Sequence, residues 1–200
     1  MVDPTVKYYN ENARLYYDST VSVDMSSAYQ PFLDLLPVGA KVLDAGCGSG
    51  RDSLFFRGLG FEVHAFDASE EMVRLSSKLL DQEVKLMRFE ELDLSENYDG
   101  IWACSSLLHV DRQDLVSVIS ALADSLKEGG VFYMSFKYGD RQFWKDGRYF
   151  NCMDEGVFGT VIEQIPVLSL DRLCLTADVR PGREVEHWLN AYLIKTERLL

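Results

Sequence analysis

Lys41-Val-Leu-Asp-Ala-Gly-Cys-Gly-Ser-Gly-Arg51 is the stretch of this sequence that decides its fold. Its first half is an apolar run typical of a buried strand, and its second half carries a glycine at every other position. Because glycine has no Cβ and adopts positive φ, a strand that turns through such a segment into a helix brings its backbone close to a ligand. We therefore expect a small, nucleotide-like ligand at Gly46, Gly48 and Gly50.

The charged residues around this turn indicate which ligand it takes. A dinucleotide-binding turn of the type G-x-G-x-x-G would need glycine at position 51, which is arginine. Asp44 would repel a pyrophosphate and suits a cationic ligand better. Asp67 ends the next apolar run, where a carboxylate can accept hydrogen bonds from both hydroxyls of a ribose. A ribose with a positively charged tail describes S-adenosylmethionine.

The motifs resemble those of the class I S-adenosylmethionine-dependent methyltransferases. They are Asp44-Ala-Gly-Cys-Gly-Ser-Gly50, Asp67-Ala-Ser69 and Asp99-Gly-Ile-Trp-Ala103. Further segments resemble a bacterial subgroup often labelled tellurite-resistance-type methyltransferases: residues 8–13, 102–110, 135–139, 178–183 and 188–190. The resemblance covers nearly the whole chain and implies S-adenosyl-L-methionine as cofactor and S-adenosyl-L-homocysteine as product. The name of the subgroup says little about the substrate of each member.

Helices that alternate with short β runs predict a parallel sheet covered on both faces. With the resemblance, the expected fold class is α/β: a doubly wound, mostly parallel seven-stranded sheet of the Rossmann-like methyltransferase type. The patterns predict strands near residues 40–44, 61–66, 84–88, 98–104 and 130–136, and helices at about 51–59, 70–80 and 112–127. We expect Gly129 and Gly130 to end the last of these helices, and an irregular loop to follow over 138–152. A short helix near 154–163 then precedes an antiparallel C-terminal edge hairpin, 165–177 and 186–196.

The chain is expected to be a single methyltransferase domain, residues 1–200. Its composition, 47% hydrophobic in 200 residues, suffices for a sizeable core. Residues 1–37 are predicted to form an N-terminal helical lid, and residues 38–200 the catalytic sheet domain. In similar methyltransferases such helices close over the cofactor, which makes Tyr9, Tyr17 and Thr20 candidates for cofactor binding. The alternative is that the tyrosines pack the helices onto the sheet.

Charge and hydropathy exclude several classes of partner. The formal net charge of −12 disfavours nucleic acid and anionic membranes, which bind clustered lysine and arginine. No stretch approaches the ~18 apolar residues of a membrane-spanning helix, so we expect a cytoplasmic protein. The four cysteines include no C-x-x-C pair, so reduced thiols are expected and no metal site. The expected partner is a small-molecule acceptor, and the expected state a monomer or homodimer.

Ligands of open α/β sheets bind at the carboxyl ends of the strands, and the remaining candidates are taken from there. Phe89 and Glu90 follow the third predicted strand, where an adenine would pack. The alternative is that Phe89 belongs to the core and that Glu90 is a solvent-exposed acid at a helix start. Cys104 lies at the methionine tail of the cofactor and is not expected to act as a nucleophile. The predicted cofactor-binding residues are Tyr9, Tyr17, Thr20, Asp44, Gly46, Gly48, Gly50, Asp67, Ala68, Met72, Phe89, Glu90, Cys104 and Ser105.

His109 is the candidate catalytic residue, because a neutral imidazole at this end of the sheet could take a proton from a nucleophile. The alternative is a histidine that fastens its loop ahead of the helix at Asp111. The predicted substrate-binding residues are His109, Lys137, Arg148, Arg180 and Arg183, whose cations could select a small anion. Each cation alone is better explained by a surface ion pair, so only their convergence in one pocket would support this site.

The leading hypothesis is therefore methyl transfer from S-adenosylmethionine to a small anionic acceptor, with a chalcogen oxyanion such as tellurite indicated by the resemblance. A soft anion needs no general base, whereas an N- or O-methyltransferase of a small metabolite would use His109 as base. A nicotinamide-dependent oxidoreductase fits Asp67 but not Asp44 or Arg51. A non-catalytic scaffold that only binds the cofactor is the third alternative.

Overall fold

The computed structural model describes residues 3–92 and 97–197. The helices are α1 (Pro4–Glu11), α2 (Ala13–Thr20), α3 (Ser26–Leu33), α4 (Arg51–Gly58), α5 (Glu70–Leu80), α6 (Arg112–Asp124) and α7 (Glu155–Ile162). The strands are β1 (Lys41–Ala45), β2 (Glu62–Asp67), β3 (Lys85–Leu86), β4 (Tyr98–Ala103), β5 (Leu126–Lys137), β6 (Gln142–Lys145), β7 (Arg148–Asn151), β8 (Leu168–Ala177) and β9 (His187–Lys195). Short 3-10 turns follow β3 and β4, at Phe89–Glu91 and Leu107–His109.

The main sheet has seven strands in the order β3-β2-β1-β4-β5-β9-β8. Neighbouring strands from β3 to β5 are parallel, whereas β9 runs antiparallel to both β5 and β8. This confirms the predicted α/β fold with an antiparallel hairpin at the C-terminal edge. The strand order reverses between β1 and β4, and such a switch point opens a crevice at the carboxyl ends of these strands.

Both faces of the sheet are buried, because alternate residues of each strand enter different cores. Leu43 joins a core with α6 and α7, whereas its neighbour Val42 joins a core with α3 and α4. In the second core the ring of Trp102 stacks on Tyr133 at 3.8 Å between centroids. Both rings are fully buried, so they position the end of β4 rigidly beneath the crevice.

The segment 138–152, expected to be an irregular loop, instead forms the hairpin of β6 and β7. Its two-residue turn is Asp146-Gly147, with φ of 51° and 78°. Positive φ at both central residues matches the right-handed twist of a tight hairpin, and Asp-Gly is a strong sequence signal for this turn. The prediction was wrong because this dipeptide was overlooked.

The pair Gly129 and Gly130 also has a different role from the one predicted. Helix α6 ends at Asp124, and β5 already begins at Leu126, which pairs with Tyr98. The register shifts between Tyr98 and Gly100, so the two glycines lie in a bulge of β5. A Cβ on Gly130 would lie 2.8 Å from the carbonyl oxygen of Lys127, and this close backbone approach requires glycine.

Helix α3 packs mainly in the core, and only Ser27 and Ala28 at its start border the crevice. Phe32 is fully buried, and the Tyr29 hydroxyl donates a 2.6 Å hydrogen bond to Asp52 of α4. Tyr9 of α1 and Tyr16 and Thr20 of α2 also border the crevice. The division into a helical lid, residues 1–37, and a catalytic sheet domain, residues 38–200, stays a prediction.

Candidate active site

The turn after β1 requires glycine because of close contacts within the chain as well as because of the space that a ligand needs. Gly46, Gly48 and Gly50 have φ of 78°, 52° and 78°, values that side chains with a Cβ rarely adopt. A Cβ on Gly46 would lie 2.5 Å from Cβ of Ser106, and one on Gly50 would lie 3.0 Å from Cβ of Ser76. Gly46 and Gly50 are therefore needed for the approach of neighbouring elements, a reason that the sequence did not reveal.

Asp67 ends β2 beside this turn. Its Oδ2 accepts a hydrogen bond from Gly48 N at 2.8 Å, and its Oδ1 accepts one from Ser69 N at 2.9 Å. A carboxylate offers about four acceptor positions, so two remain for a diol. Burial raises the pKa of Asp67, while the backbone N–H groups of Ser69 and Gly48 oppose this rise.

Asp44 does not reach either cavity described below, contrary to its prediction as a cofactor-binding residue. It is almost fully buried, and its Oδ2 accepts hydrogen bonds from Ser53 N at 3.1 Å and Ser53 Oγ at 2.6 Å. Burial and the nearby Asp52 raise the pKa of Asp44. Asp44 thus ties the end of β1 to the first turn of α4, because its side chain points under the glycine turn.

The cofactor cavity is the space between this turn, α1, α2 and the segments after β3 and β4. Most of the predicted cofactor residues line it: Tyr9, Thr20, Gly46, Gly48, Asp67, Ala68, Met72, Phe89, Glu90, Cys104 and Ser105. Gly50 does not, because it faces α5. Tyr17 packs against the small cluster of Ala13, Met72 and Leu75, and its neighbour Tyr16 lines the cavity instead.

Helix α1 is closed over the cofactor cavity. Asn10 Oδ1 accepts hydrogen bonds from Ser69 Oγ at 2.7 Å and Glu71 N at 3.2 Å, and Asp3 pairs with Arg88 at 2.9 Å. The enclosed volume is about 120 Å³. Pockets for drug-sized ligands measure roughly 300–1,000 Å³, so we expect α1 to move when a nucleoside enters.

Arg51 and Asp52 at the start of α4 are site residues that the sequence did not predict as such. Asp52 accepts hydrogen bonds from Arg51 Nε at 2.6 Å and Trp102 Nε1 at 2.8 Å. Burial acts to raise the pKa of Asp52, but the adjacent Arg51 outweighs it and leaves this pKa below its ordinary value. In the sequence, Arg51 serves only to exclude a dinucleotide-binding turn, whereas in the structure its side chain lines both cavities.

Cys104 and Ser105 lie where β4 ends. We call this place the junction, because the cofactor cavity meets a second cavity, described below, at these residues. Ser105 adopts φ of 55° and is held there by a 2.9 Å hydrogen bond from its N–H to Ser135 Oγ. A left-handed conformation at a residue other than glycine costs about 1 kcal/mol or more and is found most often at functional sites. Burial raises the pKa of the Cys104 thiol to about 11, so it stays protonated at neutral pH.

His109 is partly buried and has hydrogen bonds at both ring nitrogens. Nδ1 lies 2.6 Å from the carbonyl oxygen of Tyr149, which can only accept, so Nδ1 carries the proton. Nε2 therefore accepts the hydrogen bond from the Tyr9 hydroxyl at 2.9 Å. Burial lowers the pKa of His109 to about 4, and the positive charge of Arg148 adds to this effect. The imidazole is neutral and joins α1 to β7.

The acceptor cavity, as we name it, is a second and larger space of about 650 Å³ beside the first. All the predicted substrate-binding residues line it: His109, Lys137, Arg148, Arg180 and Arg183. The four cations predicted to bind an anion therefore converge on one cavity. Both cavities share Tyr9, Tyr16, Thr20, Arg51, Cys104, Ser105 and His109, so they meet at the junction. Trp188 also lines the acceptor cavity, whereas Trp144 does not.

Positive charge accumulates around the acceptor cavity, although the whole chain has a formal charge of −12. Six cationic side chains line it: Arg51, Lys137, Lys145, Arg148, Arg180 and Arg183. Three acidic side chains line it: Asp146, Asp178 and Glu186. Glu186 pairs with Lys137, and Asp178 accepts from Arg180 Nε at 2.9 Å, so these acids neutralise only part of the charge.

Within residues 3–92 and 97–197, no group of three or more His, Cys, Asp or Glu side chains is arranged to hold a metal ion. No helix in the same ranges combines the length and apolar character needed to cross a membrane.

Comparisons with known proteins agree with this geometry. Residues 42–130 match a family described as a methyltransferase domain. A probable S-adenosyl-L-methionine-dependent methyltransferase TehB of Haemophilus influenzae is 30% identical over 95 residues, which are 45% of this chain and 33% of that protein. A ubiquinone biosynthesis O-methyltransferase of Xanthomonas axonopodis pv. citri is 32% identical over 108 residues, 50% of this chain and 44% of that protein. The chain thus matches less than half the length of these curated relatives.

Solved structures establish the fold over nearly the whole chain. An S-adenosylmethionine-dependent methyltransferase from Clostridium acetobutylicum has a TM-score of 0.71 at 16% identity and covers 94% of this chain and 99% of its own. The 1,6-didemethyltoxoflavin-N1-methyltransferase of Burkholderia thailandensis has a TM-score of 0.75 at 21% identity. The match covers 96% of this chain and 85% of that protein's chain.

Residues 42–130 thus match a methyltransferase domain, and the fold of nearly the whole chain is like that of solved S-adenosylmethionine-dependent methyltransferases. Among the curated relatives the protein resembles TehB over 45% of this chain.

Proposed function

We propose that this protein transfers a methyl group from S-adenosylmethionine to a small anionic acceptor. The observation that carries the proposal is the meeting of two cavities at the junction, one beside Asp67 and the other surrounded by excess positive charge. A methyl donor in the first cavity and an acceptor in the second would face each other there. Such an arrangement would bring donor and acceptor together, which is the main requirement of a displacement reaction.

The residues of the cofactor cavity fit S-adenosylmethionine. Asp67 keeps two acceptor positions for the ribose hydroxyls, and Phe89 offers an apolar face to the adenine. The rings of Tyr9 and Tyr16 lie edge to face at 5.1 Å and offer electron-rich surfaces to a sulfonium. When bound, S-adenosylmethionine supplies a methyl group on a positively charged sulfur, whose bond to carbon breaks as the acceptor bond forms.

The state of His109 favours an acceptor that needs no base. Its Nε2 already accepts from Tyr9, and a pKa of about 4 makes it a weak proton acceptor at neutral pH. An anion carries its own electron pair and attacks without losing a proton. The alternative, N- or O-methylation of a neutral metabolite with His109 as base, receives less support. Tellurite stays a prediction that rests on the resemblance of the sequence motifs to the tellurite-resistance-type subgroup.

Asp67→Ala tests the cofactor assignment. We expect S-adenosylhomocysteine to bind about 100-fold more weakly to this variant in calorimetry, because two hydrogen bonds to a charged group contribute about 3 kcal/mol. Asp171→Ala, which removes an exposed carboxylate on β8, is the matched control and should bind like the wild type. Equal binding by the Asp67 variant would contradict the assignment.

Turnover is tested separately with labelled S-adenosylmethionine and a panel of tellurite, selenite, small thiols, small amines and small organic acids. We expect label in an anionic acceptor with the wild type and Asp171→Ala, and none with Asp67→Ala. Cofactor binding without transfer to any acceptor would favour the non-catalytic scaffold. Transfer to neutral amines alone would contradict the anionic acceptor.

A further inference from the structure

The size of the acceptor cavity argues against a single-centre oxyanion as its natural occupant. Its volume of about 650 Å³ lies within the roughly 300–1,000 Å³ of pockets for drug-sized ligands. One water molecule takes up about 30 Å³ in the liquid, and tellurite has the volume of only a few waters. Methyl transfer needs a fixed acceptor, so an occupant that fills little of the cavity would be poorly positioned.

Arg148 is the cation of the acceptor cavity that is best placed to hold an acid group. Its Nε is fully buried and has no hydrogen-bond partner among the described residues. Its nearest carboxylate, Asp146, is 3.8 Å away and largely exposed. Lys137 and Arg180, in contrast, each have a closely paired carboxylate. An unpaired buried N–H is costly, and a ligand carboxylate would satisfy it.

Aromatic rings hold the guanidinium of Arg148 in place. Its Cζ lies 4.1 Å from the ring centroid of Tyr8 and 5.2 Å from that of Phe150. Stacking of this kind fixes the plane of the fork, so the two N–H groups of one edge can meet a carboxylate in a defined direction. The orientation is therefore set before a ligand arrives.

Further rings border the same part of the acceptor cavity. Lys137 Nζ lies 5.7 Å from the centroid of Phe150 and 5.4 Å from that of Trp188, and all three side chains line the acceptor cavity. Phe143 stacks on Phe150 at 5.3 Å and extends this apolar wall. Aromatic walls favour flat, conjugated ligands, which pack on them in offset or edge-to-face geometry.

We propose that the acceptor is an organic acid with a flat ring system, whose acid group binds Arg148 and whose ring packs against Phe150 and Trp188. This inference rests on the proposed function and names the substrate class of the same site. It assigns Arg148 the contact with the acid group, and it assigns Lys137 and Arg180 to the ion pairs that shape the cavity.

The test is calorimetry on the wild-type protein saturated with S-adenosylhomocysteine, with four probes: 2-naphthoate, methyl 2-naphthoate, acetate and tellurite. We expect 2-naphthoate to bind at least tenfold more tightly than each of the other three. The ester keeps the ring without the charge, acetate keeps the charge without the ring, and tellurite is the small inorganic alternative. Failure of 2-naphthoate to bind, equal binding of the ester, or tighter binding of tellurite would each overturn the inference.

Arg148→Gln and Arg172→Gln are the paired variants. Arg172 is exposed on β8 and does not line either cavity. We expect 2-naphthoate to bind at least tenfold more weakly to Arg148→Gln and unchanged to Arg172→Gln. An equal loss in both variants, or no loss in Arg148→Gln, would overturn the role of Arg148. The comparison of acid and ester on the wild type decides the matter if Arg148→Gln does not fold.

The saturation step separates this inference from the proposed function. Binding of S-adenosylhomocysteine without binding of 2-naphthoate would overturn the substrate class and leave the methyltransferase proposal standing. Absence of S-adenosylhomocysteine binding would overturn both.

Discussion

At the scale of single residues, His109 shows how burial decides chemistry. The two hydrogen bonds of its ring, to Tyr149 and Tyr9, fit only the neutral form with the proton on Nδ1. Protonation would place a second N–H opposite the Tyr9 hydroxyl and a charge in a buried site beside Arg148. The protein therefore keeps this imidazole neutral well below the pH at which a free histidine is protonated.

A pH dependence of stability follows. Between pH 6.5 and about 4 the unfolded chain binds a proton at His109 that the folded chain does not, so the free energy of unfolding falls as the pH falls through this window. His109 therefore contributes about 3 kcal/mol to the free energy of unfolding above pH 6.5, and this contribution is lost by about pH 4. We expect His109→Gln to unfold in urea with a correspondingly smaller pH dependence between pH 7 and pH 4.

His187→Gln is the matched control for this measurement, because His187, at the start of β9, is exposed, and its Nδ1 lies 3.1 Å from the carbonyl oxygen of Val185 in the preceding loop. This variant should keep the pH dependence of the wild type. Parallel curves for His109→Gln and the wild type would show that His109 does not bear the pH dependence.

At the scale of elements, α1 is held over the cofactor cavity by its N-cap residue, Asp3, as well as by Asn10. Asp3 caps the helix, since its Oδ1 accepts hydrogen bonds from Thr5 N at 2.7 Å and Val6 N at 3.4 Å. Its other oxygen pairs with Arg88, which follows β3. One carboxylate therefore both starts the helix and fastens it to the segment that borders the cavity.

We expect Asp3→Ala to loosen α1 without unfolding the protein. Loss of an N-cap costs about 1 kcal/mol, and a partly exposed ion pair adds less than about 1 kcal/mol. Amide hydrogen exchange within Pro4–Glu11 should be several-fold faster in the variant, while exchange in β4 and β5 stays unchanged. Asp18→Ala, which removes an exposed pair with Arg14 in α2, should leave the exchange of α1 as it is. Unchanged exchange in Asp3→Ala would contradict the fastening role.

At the scale of the whole molecule, one packed layer supports both cavities. Phe32 of α3 lies 5.1 Å from Trp102 and 5.6 Å from Phe56, between ring centroids, and is fully buried. Trp102 in turn donates to Asp52, which holds Arg51 at the junction. The aromatic layer beneath the sheet thus determines where the junction residues lie.

Phe32→Ala should lower the free energy of unfolding by about 3–5 kcal/mol, because it removes buried area and leaves a cavity. This is a large part of the roughly 5–15 kcal/mol that stabilises a domain. Leu170→Ala on edge strand β8, where the side chain is 45% exposed, should cost less than about 1 kcal/mol. Reversible urea unfolding measures both, and a similar small loss in the two variants would contradict the role of this layer.

The amino-acid sequence by itself determined the sheet domain and its cofactor turn, because these depend on local patterns. Alternation of apolar strands with amphipathic helices, glycines where φ is positive, and an acid at the end of β2 are all readable along the chain. The Asp146-Gly147 hairpin was equally readable and was missed. The prediction that Gly129 and Gly130 end a helix was wrong, because glycine is typical both of helix ends and of β-bulges.

Only the tertiary structure decided which side chains meet. Asp44 and Gly50 stand in the glycine motif, yet they face the protein interior, whereas Arg51 and Tyr16 face the cavities. The convergence of Lys137, Arg148, Arg180 and Arg183 depends on β5, the hairpin of β6 and β7, and the loop between β8 and β9. Residues so far apart along the chain are brought together by strand order and packing, and their side-chain directions follow from contacts that no local pattern encodes.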